Sequence, residues 1–261
     1  MSRTRALALI TLAATVTWGC AKDSTSPSSL VNDQQVTADE AASSGDAIAT
    51  DVTTMLGNEG FAALPAPGLN FDLFGVRNDS IVYARTRTCY DGNGAEVANC
   101  TPMASVRSIV VHVSFYGAHT GPFLTVGLHR TRDWTITRNF EGQTEVSRTH
   151  DGVGASHDTT VATGGLSSGI TRTHQVSAVD SAIAVTFDLP HATNPWPVSG
   201  KMVRRVSAHV EFQSATTQTT RDYTKRVEVD FPADAQGNVT LLIDDQTCTL
   251  NLVTHTVSGC H

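Results

Sequence analysis

The chain has 261 residues, of which 16% are charged and 6% aromatic, and a formal net charge of −7. That acidic balance argues against nucleic acid as a partner, because phosphate backbones are held by clustered Lys and Arg. Thr, Val, Ser and Gly abound while Lys is scarce, a balance that favours pleated, half-buried surfaces over helices.

Residues 1–19 have the anatomy of a cleaved export signal. Arg3 and Arg5 form a positive n-region, Ala6 to Val16 an apolar stretch, and Thr17-Trp18-Gly19 leads to Cys20. The apolar stretch is shorter than the roughly 20 residues a bilayer-spanning helix needs, so it reads as an address. Gly19-Cys20 resembles the lipobox of bacterial lipoproteins, in which the cysteine is acylated and becomes the mature N-terminus. The resemblance implies a membrane partner reached through lipid on Cys20, with the domain facing the periplasm or the cell surface. Trp18 and Thr17 depart from the lipobox pattern, and cleavage without acylation is the alternative. Setting Cys20 aside leaves four of the five cysteines, an even number, as expected for an exported chain.

Residues 20–36 follow as the acylated cysteine and a polar, Ser/Pro-rich tether, with too little apolar surface to offset the entropy of ordering it. Thr37 and Glu40 form a capping box that predicts a helix over 37–57, with Ile48, Val52, Met55 and Leu56 on one face and Gly57 as its stop. This helix is expected to cover a core. Residues 58–69 contain the Pro/Gly-rich run GFAALPAPGL and read as a loop.

Residues 70–261 change to a two-residue period. Ile109, Val111, Val113 and Phe115 alternate with polar or smaller neighbours, as do Val206, Ala208, Val210 and Phe212, and again Tyr223, Val227, Val229 and Phe231. Further strands are expected at 80–89, 123–140, 144–150, 170–176, 182–189, 239–243 and 249–257. Turn-forming clusters separate them, among them Asp91-Gly92-Asn93-Gly94 and Asp151-Gly152-Val153-Gly154. The expected fold is all-β: an antiparallel meander of about nine or ten strands, curled into a barrel or sandwich, with one N-terminal helix. A transmembrane barrel is disfavoured, because so few aromatics cannot furnish girdles at both interfaces.

The segments Arg85 to Tyr90, Asn194 to Gly200 and Phe231 to Gly237 resemble those of Thr/Arg-rich, cysteine-paired bacterial lipoproteins of uncharacterised function. That resemblance implies no activity and no catalytic residues.

Four cysteines allow three pairings, and short loops with turn signals favour Cys89 with Cys100 and Cys248 with Cys260. Each bond is worth about 3 kcal/mol by loop entropy. Neither pair has the two-to-four-residue spacing of zinc ligands, and no cofactor or metal is expected.

Asp91 to Glu96 faintly resembles a calcium loop but lacks its twelve-residue frame, and a tight turn explains it. Gly165-Leu-Ser167-Ser-Gly169 matches the serine-nucleophile pattern, yet a strand is expected after it where a nucleophile elbow needs a helix. His150-Asp151 and His157-Asp158 would face each other across a hairpin, read here as solvated histidines. Asp244-Asp245 reads as turn chemistry, and Arg130, Arg132, Arg138, Arg148 and Arg172 as a solvated stripe on one sheet face. Trp196, held between Pro195 and Pro197, either plugs the core or covers a ligand cavity.

The expected function is that of a non-enzymatic envelope domain, structural or binding, with another envelope protein as a partner. The alternatives are a carrier or sensor of an apolar ligand and, less favoured, a hydrolase at Ser167.

Overall fold

A computed structural model describes residues 33–59, 82–120, 124–163 and 169–261. The export signal, Cys20, the loop over 60–69 and Ser167 lie outside the described residues.

Helix α1 spans Asp33–Glu59. Ten strands follow: β1 (Val82–Tyr90), β2 (Ser108–Thr120), β3 (Leu124–Glu141), β4 (Thr144–Thr163), β5 (Thr171–Asp188), β6 (Ser199–Gln213), β7 (Gln218–Asp230), β8 (Asn238–Ile243), β9 (Gln246–Asn251) and β10 (Thr256–Ser258). Every strand pairs antiparallel with the next, in strict chain order, so the all-β meander expected from the sequence is present. Among the described residues β1 and β10 are the two edges, and the sheet they bound is not closed into a barrel.

One apolar cluster joins the two ends of the sheet through the helix. It contains Ile109, Val111 and Val113 of β2, Val227 and Val229 of β7, Leu241 and Ile243 of β8, and Ile48, Val52 and Met55 of α1. The sheet therefore curls around α1, and the helix occupies its inner face. Leu56 packs at the cluster's margin, so the four apolar helix positions act as predicted.

Several expectations change. α1 begins before Thr37, so Thr37 and Glu40 are buried interior residues of the helix and cannot cap it. The end of the supposed tether is helical too: Gln35 is buried and donates to Asp39 at 2.8 Å, and Val36 packs with Val210 and Phe212. At the other end the helix runs past Gly57.

A larger change lies in the sheet. Asp151-Gly152-Val153-Gly154 is not a turn but the middle of the 20-residue strand β4, and the two strands expected at 170–176 and 182–189 are one, β5. Both glycines are present for closeness of approach. A Cβ on Gly152 would strike the Asp133 carbonyl and Trp134, and one on Gly154 would strike Arg132 and the Thr131 carbonyl. Trp134 and Arg132 lie across β4 at these positions, where only a residue without a side chain leaves them room. Next to Gly152 the register shifts between His150 and Gly152, and Asp151 accepts from the Ala184 amide at 2.8 Å.

The cysteines pair as favoured, Cys89 with Cys100 and Cys248 with Cys260, with Cα separations of 5.2 and 4.1 Å. Such bonds fit an oxidising, exported location.

Candidate functional site

Arg130, Arg132 and Arg172 of the expected stripe do share one sheet face, but it is the inner one, and Arg204, outside that reading, joins them there. Arg130, Arg132, Arg172 and Arg204 are all at most 2% exposed. They alternate with outward residues on β3, β5 and β6, so the two-residue period sends each guanidinium toward α1. The solvated stripe is thus corrected to a buried network. A buried guanidinium must find carboxylates, and α1 with the neighbouring strands supplies them.

Arg130 donates through Nε to both oxygens of Asp158, at 3.1 and 2.9 Å, with Asp46 of the helix 3.9 Å away. Arg132 spans the helix and the sheet: its Nε meets Asp51 at 2.8 and 2.9 Å and its Nη2 meets Asp180 at 3.0 Å. Arg204 donates to Asp180 at 2.8 Å, to Ser156 at 3.1 Å and to Ser44 of α1 at 3.1 Å. Arg172 meets Asp39 at 2.5 Å, and His174 stands 3.2 Å from the same carboxylate. Tyr223 donates to Glu40 at 3.0 Å, while the Ser44 hydroxyl also bonds Glu40.

Four arginines face six carboxylates, Asp39, Glu40, Asp46, Asp51, Asp158 and Asp180. Burial works against the surplus negative charge, and unequally at the different carboxylates. Burial pushes the Glu40 carboxyl up, against the pull of Arg204 and its two hydroxyl donors. Asp51 is also pushed up by burial, with Arg132 opposing. Asp180 resists the same burial because Arg204 and Arg132 both hold it, and its pKa falls. At Asp39 burial is again outweighed, by His174 and Arg172. The helix is therefore fastened by ionic and hydrogen bonds as well as by its apolar face.

A second cluster closes the β3–β4 hairpin. Glu145 accepts from Arg138 at 2.9 Å and from Arg148 at 2.6 Å, and these donors overcome its partial burial to hold the carboxyl at about 2. His150 is fully buried, edge-on to Phe187 at 5.4 Å, and His191 packs edge-on to the same ring. Burial, with Arg148 close by, lowers the His150 pKa to about 3.

His150 thus stays neutral in the fold but charges in the unfolded chain below its ordinary pKa of about 6.5. Stability from this group is intact above that value and is lost as pH falls from about 6.5 toward 3. Between pH 6.5 and 5 the loss is on the order of 2 kcal/mol. His150→Gln should remove that part of the slope, as read from urea midpoints across the same pH range. An identical slope in both proteins would refute the assignment.

His150 and His157 share strand β4 and do not face each other, since the expected hairpin is absent. His150 is buried, which corrects the solvated reading for it, while His157 is exposed and 3.1 Å from Ser177. Asp91 accepts from the amides of Asn93 and Ala95, a tight turn as read. Asp244 and Asp245 join β8 to β9, and Asp244 accepts from the Arg226 amide at 2.9 Å. The strands flanking Ser167 pair with each other, Thr163 opposite Thr171. Trp196 is partly buried against the apolar cluster and lies over Gly237, as part of the core's wall. A void beside Asp51, Arg132 and Trp134 measures about 10 Å³, the lower limit for one water.

Sequence reasoning missed the charge network because four of its six carboxylates sit on the helix, far in sequence from the guanidiniums they face: Asp51 lies 81 residues before Arg132 and Asp39 133 residues before Arg172. The one available signal was the recurrence of Arg and Asp at inward positions of the two-residue period.

Comparison with protein-family models, curated proteins and solved structures finds no match for this chain.

Proposed function

We propose that the chain is an exported, lipid-anchored envelope protein whose β domain serves a structural or binding role and carries out no chemistry of its own. The observation that carries this reading is the occupancy of the inner face. The charged groups best suited to acid–base or anion chemistry are one another's partners, buried between α1 and the sheet. Groups so engaged are not presented to a substrate. The same occupancy disfavours an apolar-ligand carrier, since α1 itself fills the interior, through ion pairs at Asp39 and Asp51 and apolar packing at Ile48, Val52 and Met55. The two disulfides support export, and the lipobox-like Gly19-Cys20 supports acylation.

Metabolic labelling of expressing bacteria with an alkyne-bearing fatty acid tests the anchor. The mature protein should carry label, and Cys20→Ser should carry none and leave the membrane fraction. Equal labelling of both proteins, or none of either, would refute acylation at this residue.

A further inference from the structure

We infer that the outer face of the sheet carries a binding groove for a neutral oligosaccharide, a ligand class that rests on the binding-domain reading above. The groove measures about 740 Å³ and crosses β4, β5, β6 and β7 at right angles to the strands. Its floor is the backbone at Asp158, Val176, Ala208 and Tyr223, residues whose side chains turn inward. One wall is the cross-strand row His157, Ser177, Ser207 and Thr224. The other is formed by Gln175, His209 and Asp222, again direct neighbours across strands.

The walls set the ligand's chemistry. His209 is fixed by Asp222 at 2.7 Å and His157 by Ser177 at 3.1 Å, so both imidazoles are held in place. The Gln175 amide and the Ser207 and Thr224 hydroxyls make no side-chain hydrogen bond among the described residues, which leaves donors and acceptors aimed into the groove. Lys and Arg are missing from its lining, which argues against an anion. Hydroxyl, amide and imidazole walls argue against an apolar ligand. The imidazoles of His157 and His209 stand two strands apart, about 10 Å, too far to share a metal ion. A polypeptide would find no open ladder, because the floor's amides and carbonyls already pair in the sheet.

A sugar chain meets these conditions. Each pyranose ring brings neutral hydroxyls that both donate and accept, and its repeat is close to the strand spacing of about 4.8 Å. Four strands span about 14 Å, enough for two or three rings. At the β4 end the wall continues into a line of rings: His129 lies 6.3 Å from His157, and the exposed Tyr116 stands edge-on to His129 at 5.9 Å. Such rings offer apolar faces to the C–H side of a sugar.

Titration calorimetry of the full chain with cellotetraose and with tetra-N-acetylchitotetraose tests the assignment. At least one should bind with a dissociation constant on the order of 1 mM or tighter. Ser207→Trp, which fills the groove, should weaken that binding at least tenfold, and the milder Gln175→Ala about fivefold. Thr135→Trp, on the outer face of β3, should leave it unchanged. Binding of neither tetrasaccharide, binding indifferent to Ser207→Trp and Gln175→Ala, equal loss with Thr135→Trp, or preference for a sulfated oligosaccharide would each overturn it. Acylation of Cys20 is scored separately, so a groove that takes no sugar leaves the anchored-domain reading standing.

Discussion

Arg204→Ala should destabilise the fold by about 3–5 kcal/mol, the range for removing one partner of a buried ion pair. Arg204 is 1% exposed and donates at once to Asp180, Ser156 and Ser44, with Asp158 3.6 Å from its Nη2. Its loss leaves Asp180 with Arg132 as its remaining guanidinium and removes the charge that steadies Glu40. The cost is chiefly that of carboxylates left buried with too little compensation. Adding Asp180→Asn should therefore return part of the lost stability, so that the double variant is less damaged than the two single effects added together. Urea unfolding of the four proteins reads this directly. If Arg204→Ala unfolds within about 1 kcal/mol of the parent, the network is not what fastens α1.

Gly152→Ala should cost about 3 kcal/mol, at the upper end of overpacking penalties. The added methyl meets the Asp133 carbonyl and the Trp134 Cα, both backbone of β3, in a stretch where β3 and β4 pair without a break. Backbone in a paired strand cannot move aside as a flexible side chain does. Gly94→Ala is the control. Gly94 has a φ of +78° with nothing within 4 Å of a Cβ, so only the left-handed strain of about 1–2 kcal/mol applies. Similar losses at the two sites would mean that crowding at Gly152 is relieved by local movement.

These two sites also show what the sequence could convey. Where apolar residues point in and polar ones out, as at Ile109 to Phe115 or Val206 to Phe212, strand and face are legible from the period alone. In the second half of β4 and the middle of β5 the pattern is reversed. Ser156, Asp158 and Asp180 point inward, while Val153 and Val179 are 57% exposed. A hydropathy pattern scores such a stretch as loop, and the neighbouring glycines strengthen the error. The reason lies outside the strands, in the acidic residues of α1 that make a polar inner face tolerable. No local window contains both halves of that arrangement. The groove was illegible for a related cause: its walls come from four strands spread over residues 157–224 and exist only once their register is set.

The position of α1 also settles where a pull on the upstream chain would be borne. Tension arriving at Asp33 enters through the helix and reaches β3, β5 and β6 by way of Asp51, Asp39 and Ser44, not through an edge strand that could peel. Each of these attachments is a buried, hydrogen-bonded contact, whereas the rungs of an exposed edge strand open to water one at a time. A domain moored by its N-terminus would thus be anchored at its most heavily cross-braced point, leaving both sheet edges and the outer face unloaded.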